Sequence, residues 1–199
     1  MIGKTVSRGV ILCRDSVSVR QTWKNAAPVL LTRSLRPKFR RPKVCAVFAG
    51  RNDNFVPDNE ARVRAMIEWN SKVLCDEVIF VEWNPLPDRP LLSLALIRDY
   101  PNVRCYVVSP EIHEQICADP RMPVMEYFAK NVGIRRAQSE YICATNSDIL
   151  WDENVKRMAW FLNERLVFRT RRKELRWEGS PPTQEYLRDP GKIIEYRFG

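Results

Sequence analysis

From residue 44 onward, short apolar runs alternate with longer stretches whose apolar residues recur at helical spacing. Strands that are apolar on both faces need cover on both sides, and parallel strands need long crossovers between them. This alternation therefore predicts an α/β domain with a mainly parallel sheet flanked by helices. Residues 44–49, 77–83, 103–109 and 140–145 read as the strands, and residues 59–74, 91–98, 111–117, 124–138 and 153–166 as the helices. In the first helix Val63, Met66, Ile67, Asn70 and Leu74 form one stripe, expected in the core, with Asp58 before it as a cap. Asp152 is the corresponding cap for the last helix. Three prolines in residues 84–90 forbid continuation of the second strand and mark a loop.

The charge divides the chain. Residues 1–43 hold eleven Lys or Arg against one acid, Asp15, so that of the 33 basic and 24 acidic residues the remainder carries 22 and 23. The net +9 belongs to a basic leader, residues 1–42, which is expected to be flexible, and not to a folded face. Residues 43–166 form the predicted domain, and residues 167–199 a C-terminal extension. A chain of 199 residues fits one such domain with tails and excludes two large ones.

No run approaches the roughly 18 apolar residues needed to cross a bilayer, so no transmembrane segment is predicted. The leader is Arg-rich and acid-poor, as organelle transit peptides are, but lacks a clean amphipathic repeat. Cys13, Cys45, Cys75, Cys105, Cys117 and Cys143 contain no CxxC and fall largely in strand-like segments, which reads as buried thiols in a reducing compartment. A cytoplasmic location is expected, with organelle targeting as the alternative. His113 is the only histidine and is expected on a partly exposed helix, so neither a Cys/His zinc site nor a hydrolytic triad is supported. The absence of GxGxxG and GxxxxGK[ST] argues against dinucleotide oxidoreductases and P-loop enzymes.

The informative stretch is residues 127–151, YFAKNVGIRRAQSEYICATNSDILW, which reads as helix, strand and acidic turn in succession. Here Asn131, Gly133, Glu140, Tyr141, Ile142 and Asp148 match a helix bearing N-x-G, a short gap, a buried strand and a D-x-D-like motif. Over about residues 43–166 the chain resembles the GT-A fold nucleotide-sugar glycosyltransferases, particularly the family 2-like group. The resemblance implies a nucleotide-sugar donor, a hydroxyl acceptor of unknown identity and a divalent Mn or Mg ion. It implies metal ligands at Asp148 and Asn146, where Asn146 replaces the usual Asp and removes one negative charge. It also implies donor contacts from Asn131 and Arg135, four apart on one helix, from Arg51, Asn52 and Asp53 after the first strand, and from Glu82 at the end of the second.

Elementary chemistry agrees with part of this. Open α/β sheets bind ligands outside the carboxyl ends of their strands, and hard oxygen ligands suit Mg or Mn. The plainer readings are a helix-capping role for Asp148 or Asp152, and a solvated helix face with a Glu126–Lys130 pair for Asn131 and Arg135. With 51 residues after Asp148, the acceptor region is expected to be abbreviated. Two alternatives to a transferase stand beside it. One is a non-catalytic or truncated nucleotide-binding protein of the same fold. The other, less favoured by the charge distribution, is a nucleic-acid binder using the leader and residues 169–176.

Overall fold

The computed structural model describes residues 10–12, 40–53, 55, 57–151, 153–162, 174–175 and 193–194. Its centre is a parallel sheet built from β1 (Val10–Leu12), β2 (Val44–Gly50), β3 (Glu77–Trp83), β4 (Val103–Val108) and β5 (Tyr141–Ala144), in the order β1-β5-β2-β3-β4. Every neighbouring pair is parallel. The long β2–β3 pairing runs from Cys45 opposite Glu77 to Gly50 opposite Glu82. β2 and β3, whose sequences are nearly all apolar, lie inside the sheet with both faces covered, whereas Arg104 and Tyr106 belong to β4 at its edge.

The helices are α1 (Asn59–Val73), α2 (Leu92–Asp99), α3 (Pro110–Ile116), α4 (Glu126–Arg136) and α5 (Glu153–Met158), the last continued by a 3₁₀ turn at Ala159–Phe161. Residues from α1 and α2, with Trp151, Ala159 and Leu162, pack on one face against Val44, Ala46, Phe48, Val78 and Phe80. On the other face Ala129, Val132 and Ile134 of α4 meet Cys45, Val47, Ile79, Val81 and Ile142. The predicted α/β class and parallel sheet are thus present. The chain winds outward from β2 to β4 with α1 and α2 on one face, then returns across the other face through α4 to β5. Consequently β2 has β3 on one side and β5 on the other, and the winding direction reverses between β2 and β5.

Several local expectations change. Asp58 precedes α1 in a left-handed conformation, φ 58°, and makes no side-chain capping bond. α4 stops two residues earlier than its sequence suggests, because Ala137 turns to an extended conformation. The amides of Gln138 and Ser139 then reach Glu77 at 3.0 Å. The last helix is also shorter, with Leu162 extended after the 3₁₀ turn; Asp152 and residues 163–166 lie outside the described residues. His113 is buried instead of partly exposed, its Nδ1 accepting a hydrogen bond from Trp83 Nε1 at 2.9 Å.

Of the five described cysteines, Cys45, Cys75 and Cys143 are buried and Cys105 and Cys117 partly so. Within the segment expected to be a flexible leader, the described residues include β1, which pairs with β5, and Arg40 and Arg41. Arg41 makes a two-point contact with Asp76 and donates to the Leu74 carbonyl, while Arg40 pairs with Glu140. Within the C-terminal extension, β6 (Glu174–Leu175) and β7 (Ile193–Ile194) form an antiparallel two-stranded ribbon. No helix among the described residues is long and apolar enough to cross a membrane.

Candidate functional site at the carboxyl ends of β2 and β5

Where winding direction reverses in a parallel sheet, the loops leaving the two adjacent strands part in opposite directions and open a crevice. Here the loops are residues 51–53 after β2 and residues 145–148 after β5, which places Asp53 and Asp148 at the same end of the sheet. Polar groups at this edge are held by bonds to distant segments.

Arg51 lies across the ends of β2 and β3: its Nε donates to the Asn84 carbonyl and its Nη1 lies 3.4 Å from Asp53 Oδ2. Asp53 Oδ1 accepts from the Phe55 amide. Asn52 is occupied by structure. Its Nδ2 lies within hydrogen-bond distance of the carbonyls of Leu86, Arg89 and Pro90, and its Oδ1 accepts from the Leu86 amide at 2.7 Å, so it clamps the proline-rich loop. Asn84, in a left-handed conformation with φ 50°, ties the end of β3 to the Val108 and Pro123 carbonyls.

Glu82 is completely buried, and each carboxylate oxygen accepts one backbone N–H, from Leu92 and Ser93, both at 2.9 Å. These are amides of the first turn of α2, which lack partners inside the helix, so Glu82 caps α2 from a neighbouring strand and complements its positive end. Its charge also reaches β4, where burial, with a smaller contribution from Glu82, pushes the Cys105 thiol up to about 12.

On the opposite side of the crevice α4 presses against the sheet. A Cβ added at Gly133 would lie 2.5 Å from Val47 Cγ1 and 3.2 and 3.3 Å from methyl groups of Ile79 and Val81, so the glycine of the N-x-G pattern permits this close approach. With Ala129, Gly133 and Ala137 facing the sheet, Asn131 and Arg135 are turned outward and exposed. The residue of α4 that reaches the crevice is Lys130. Its ammonium donates to Asn146 Oδ1 at 2.7 Å and pairs with Glu126 one turn earlier, and only 13% of its side chain is exposed.

The β5 loop is anchored from below by α1. Asn70, completely buried in the predicted apolar stripe, donates to the Ile149 carbonyl and accepts from the Trp151 amide, both at 2.9 Å. Trp69 Nε1 donates to the Trp151 carbonyl at 2.7 Å. Asp148 is exposed on the loop so held. At its base the Thr145 hydroxyl is buried with no hydrogen-bond partner among the described residues.

No protein-family model matches the chain, and no curated protein matches it. Of the residues singled out in the sequence, the structure therefore brings Arg51, Asp53, Asn146 and Asp148 to one end of the sheet. It commits Asn52 and Glu82 to internal bonds and turns Asn131 and Arg135 to solvent. Lys130 and Asn70 join the site from geometry. The visible signal for Asn70 was an amide inside an apolar stripe; Lys130 read only as half of an i,i+4 ion pair. Residues 169–173 and 176 of the basic cluster lie outside the described residues.

Proposed function

We propose that the chain binds a nucleotide-sugar donor in the crevice between β2 and β5 and transfers its sugar to a hydroxyl acceptor. The observation that carries this reading is the gathering of Arg51, Asp53, Lys130, Asn146 and Asp148 beside the reversal point of a parallel sheet. Such crevices take ligands with phosphate groups in many α/β proteins. The resemblance of residues 127–151 to GT-A enzymes supplies the reaction class: the anomeric carbon leaves the diphosphate oxygen, which keeps the electron pair, and bonds to the acceptor oxygen, whose proton passes to a base.

The donor set does not fit a tightly held divalent ion. Asp148 is a single exposed carboxylate, and the Asn146 oxygen already accepts from an ammonium group. Among the described residues no group of three or more His, Cys, Asp or Glu side chains converges as metal ligands. A divalent ion at Asp148 and Asn146 would take most of its ligands from the diphosphate, and Arg51 and Lys130 are the chain's own positive charges beside the crevice.

A second reading, nucleotide binding without transfer, is favoured by the commitment of both Glu82 oxygens to the α2 amides, which leaves that carboxylate unable to serve as a base. One thermal-denaturation panel of nucleotides and nucleotide-sugars, followed by a turnover assay with the best ligand, separates the readings. A ligand at 100 times its Kd stabilises the native state by about 2.7 kcal/mol, which is a rise of roughly 5–10 °C for a chain of this size. Release of the nucleoside diphosphate supports transfer; stabilisation without release supports binding alone; no stabilisation by any member defeats both.

A further inference from the structure

We propose that Lys130 supplies the fixed positive charge that meets the donor's diphosphate at the end of β5, in place of a divalent metal. The inference rests on the donor reading above. Its basis is the juxtaposition of a largely buried Lys130 ammonium with Asn146 Oδ1 at 2.7 Å, on the lip of the crevice.

An ammonium group has three N–H donors. Two point to Asn146 and Glu126, leaving one for a further acceptor. The position of the group is well fixed. Gly133 sets α4 against Val47, Ile79 and Val81 within the reach of a methyl group, so the Lys130 backbone cannot move closer to the sheet without a clash. Asn146 is anchored in turn by the backbone of β5 and by the loop that Asn70 holds.

Asn at this position now has a physical reason. A carboxylate there would form a second ion pair with Lys130 and cancel its charge, whereas a neutral amide oxygen orients the ammonium without neutralising it. A divalent ion bound to Asn146 Oδ1 would share that oxygen with the ammonium, placing two cations side by side with Asp148 and the already paired Glu126 to offset them. The competing charge is Glu126, which is about half exposed and sits at the outer end of the pair. Its removal leaves Lys130 with more charge to offer an anion.

The test is calorimetric titration of UDP, GDP and ADP into the full chain, in buffers containing chelator, Mg or Mn. The wild-type protein should bind one of these with an affinity that chelator leaves unchanged. Lys130→Met, which keeps the apolar stem, should weaken binding roughly 10- to 100-fold in every buffer, the worth of a charge-assisted hydrogen bond. Lys130→Arg should recover part of the loss and guards against misfolding of the Met variant, each being checked by circular dichroism. Glu126→Gln and Asp148→Asn, which remove negative charges near the lip, should each tighten binding by up to about five-fold. Binding seen only with Mn or Mg and lost in Asp148→Asn would overturn the inference while leaving the donor reading intact. Unchanged affinity in a folded Lys130→Met variant would do the same. Failure of every nucleoside diphosphate to bind in any buffer overturns the donor reading, and this inference with it.

Discussion

Gly133 and Glu82 show how much the meaning of a residue depends on what stands opposite its Cβ or its carboxylate. A methyl group on Gly133 would meet Val47 Cγ1 at 2.5 Å, a contact that only movement of α4 or of the β2 side chain relieves. Gly133→Ala gains about 1 kcal/mol of helix propensity but meets an overpacking cost of about 1–3 kcal/mol. A net loss of stability is expected in urea denaturation, with weaker nucleotide binding because Lys130 moves with the helix; an Ala variant as stable as wild type would show that the contact relaxes freely. Glu82 invites a base-binding role by its place at the end of β3, yet both its oxygens are engaged by α2. Glu82→Gln replaces one acceptor by an NH₂ group facing a backbone N–H, at a cost of about 1–3 kcal/mol. The expected result is a lower melting temperature with nucleotide affinity unchanged in the protein that remains folded. Selective loss of affinity at unchanged stability would restore the contact with the donor.

At the scale of elements, the crevice is positioned by helices that contribute few of its residues. α1 holds the β5 loop from the opposite face of the sheet to α4, through Asn70 and Trp69. Asn70→Leu preserves the side-chain volume and leaves the Ile149 carbonyl and Trp151 amide without their partner, a cost of about 2–4 kcal/mol for two buried groups. Amide hydrogen exchange at Trp151 should accelerate by more than at the centre of β2, because the loop is released locally before the sheet opens. Equal acceleration at both places would mean that Asn70 supports the fold as a whole and not the loop.

For the molecule as a whole, the end of the sheet remote from the crevice is fastened by Glu77. It receives hydrogen bonds from the Ser139 hydroxyl at 2.8 Å, from the amides of Gln138 and Ser139, and from Arg104, joining β3, β4 and the approach to β5. Burial pushes its carboxyl upward, but the Ser139 and Arg104 hydrogen bonds outweigh burial and hold it below its ordinary value of 4.5. A carboxylate whose folded value is depressed adds stability above its unfolded value and loses it as pH falls through the folded one. Unfolding midpoints in urea should therefore drop as pH is lowered below about 4.5, and Glu77→Gln should be less stable at neutral pH with a shallower acid limb. An acid limb of the same slope in that variant would assign the acid sensitivity to other carboxylates.

The alternation of apolar runs determined the parallel α/β arrangement and the strand ends at which polar residues collect, because burial on both faces and long crossovers are requirements of the sheet itself. It also marked residues 127–151 as the informative stretch. Rotation of α4 about its axis was settled only in three dimensions. Its large apolar residues Tyr127 and Phe128 are exposed at 85% and 53%, while the small Ala129 and Gly133 are buried, so hydrophobicity alone indicates the wrong face. Each residue advances a helix by about 100°, and a one-residue difference is enough to send Asn131 outward and Lys130 into the crevice. The close contact of Gly133 with Val47 fixes that rotation. The engagement of Glu82 was likewise decided by where the loop after β3 delivers the first amides of α2, a distance in space that spacing along the chain does not encode.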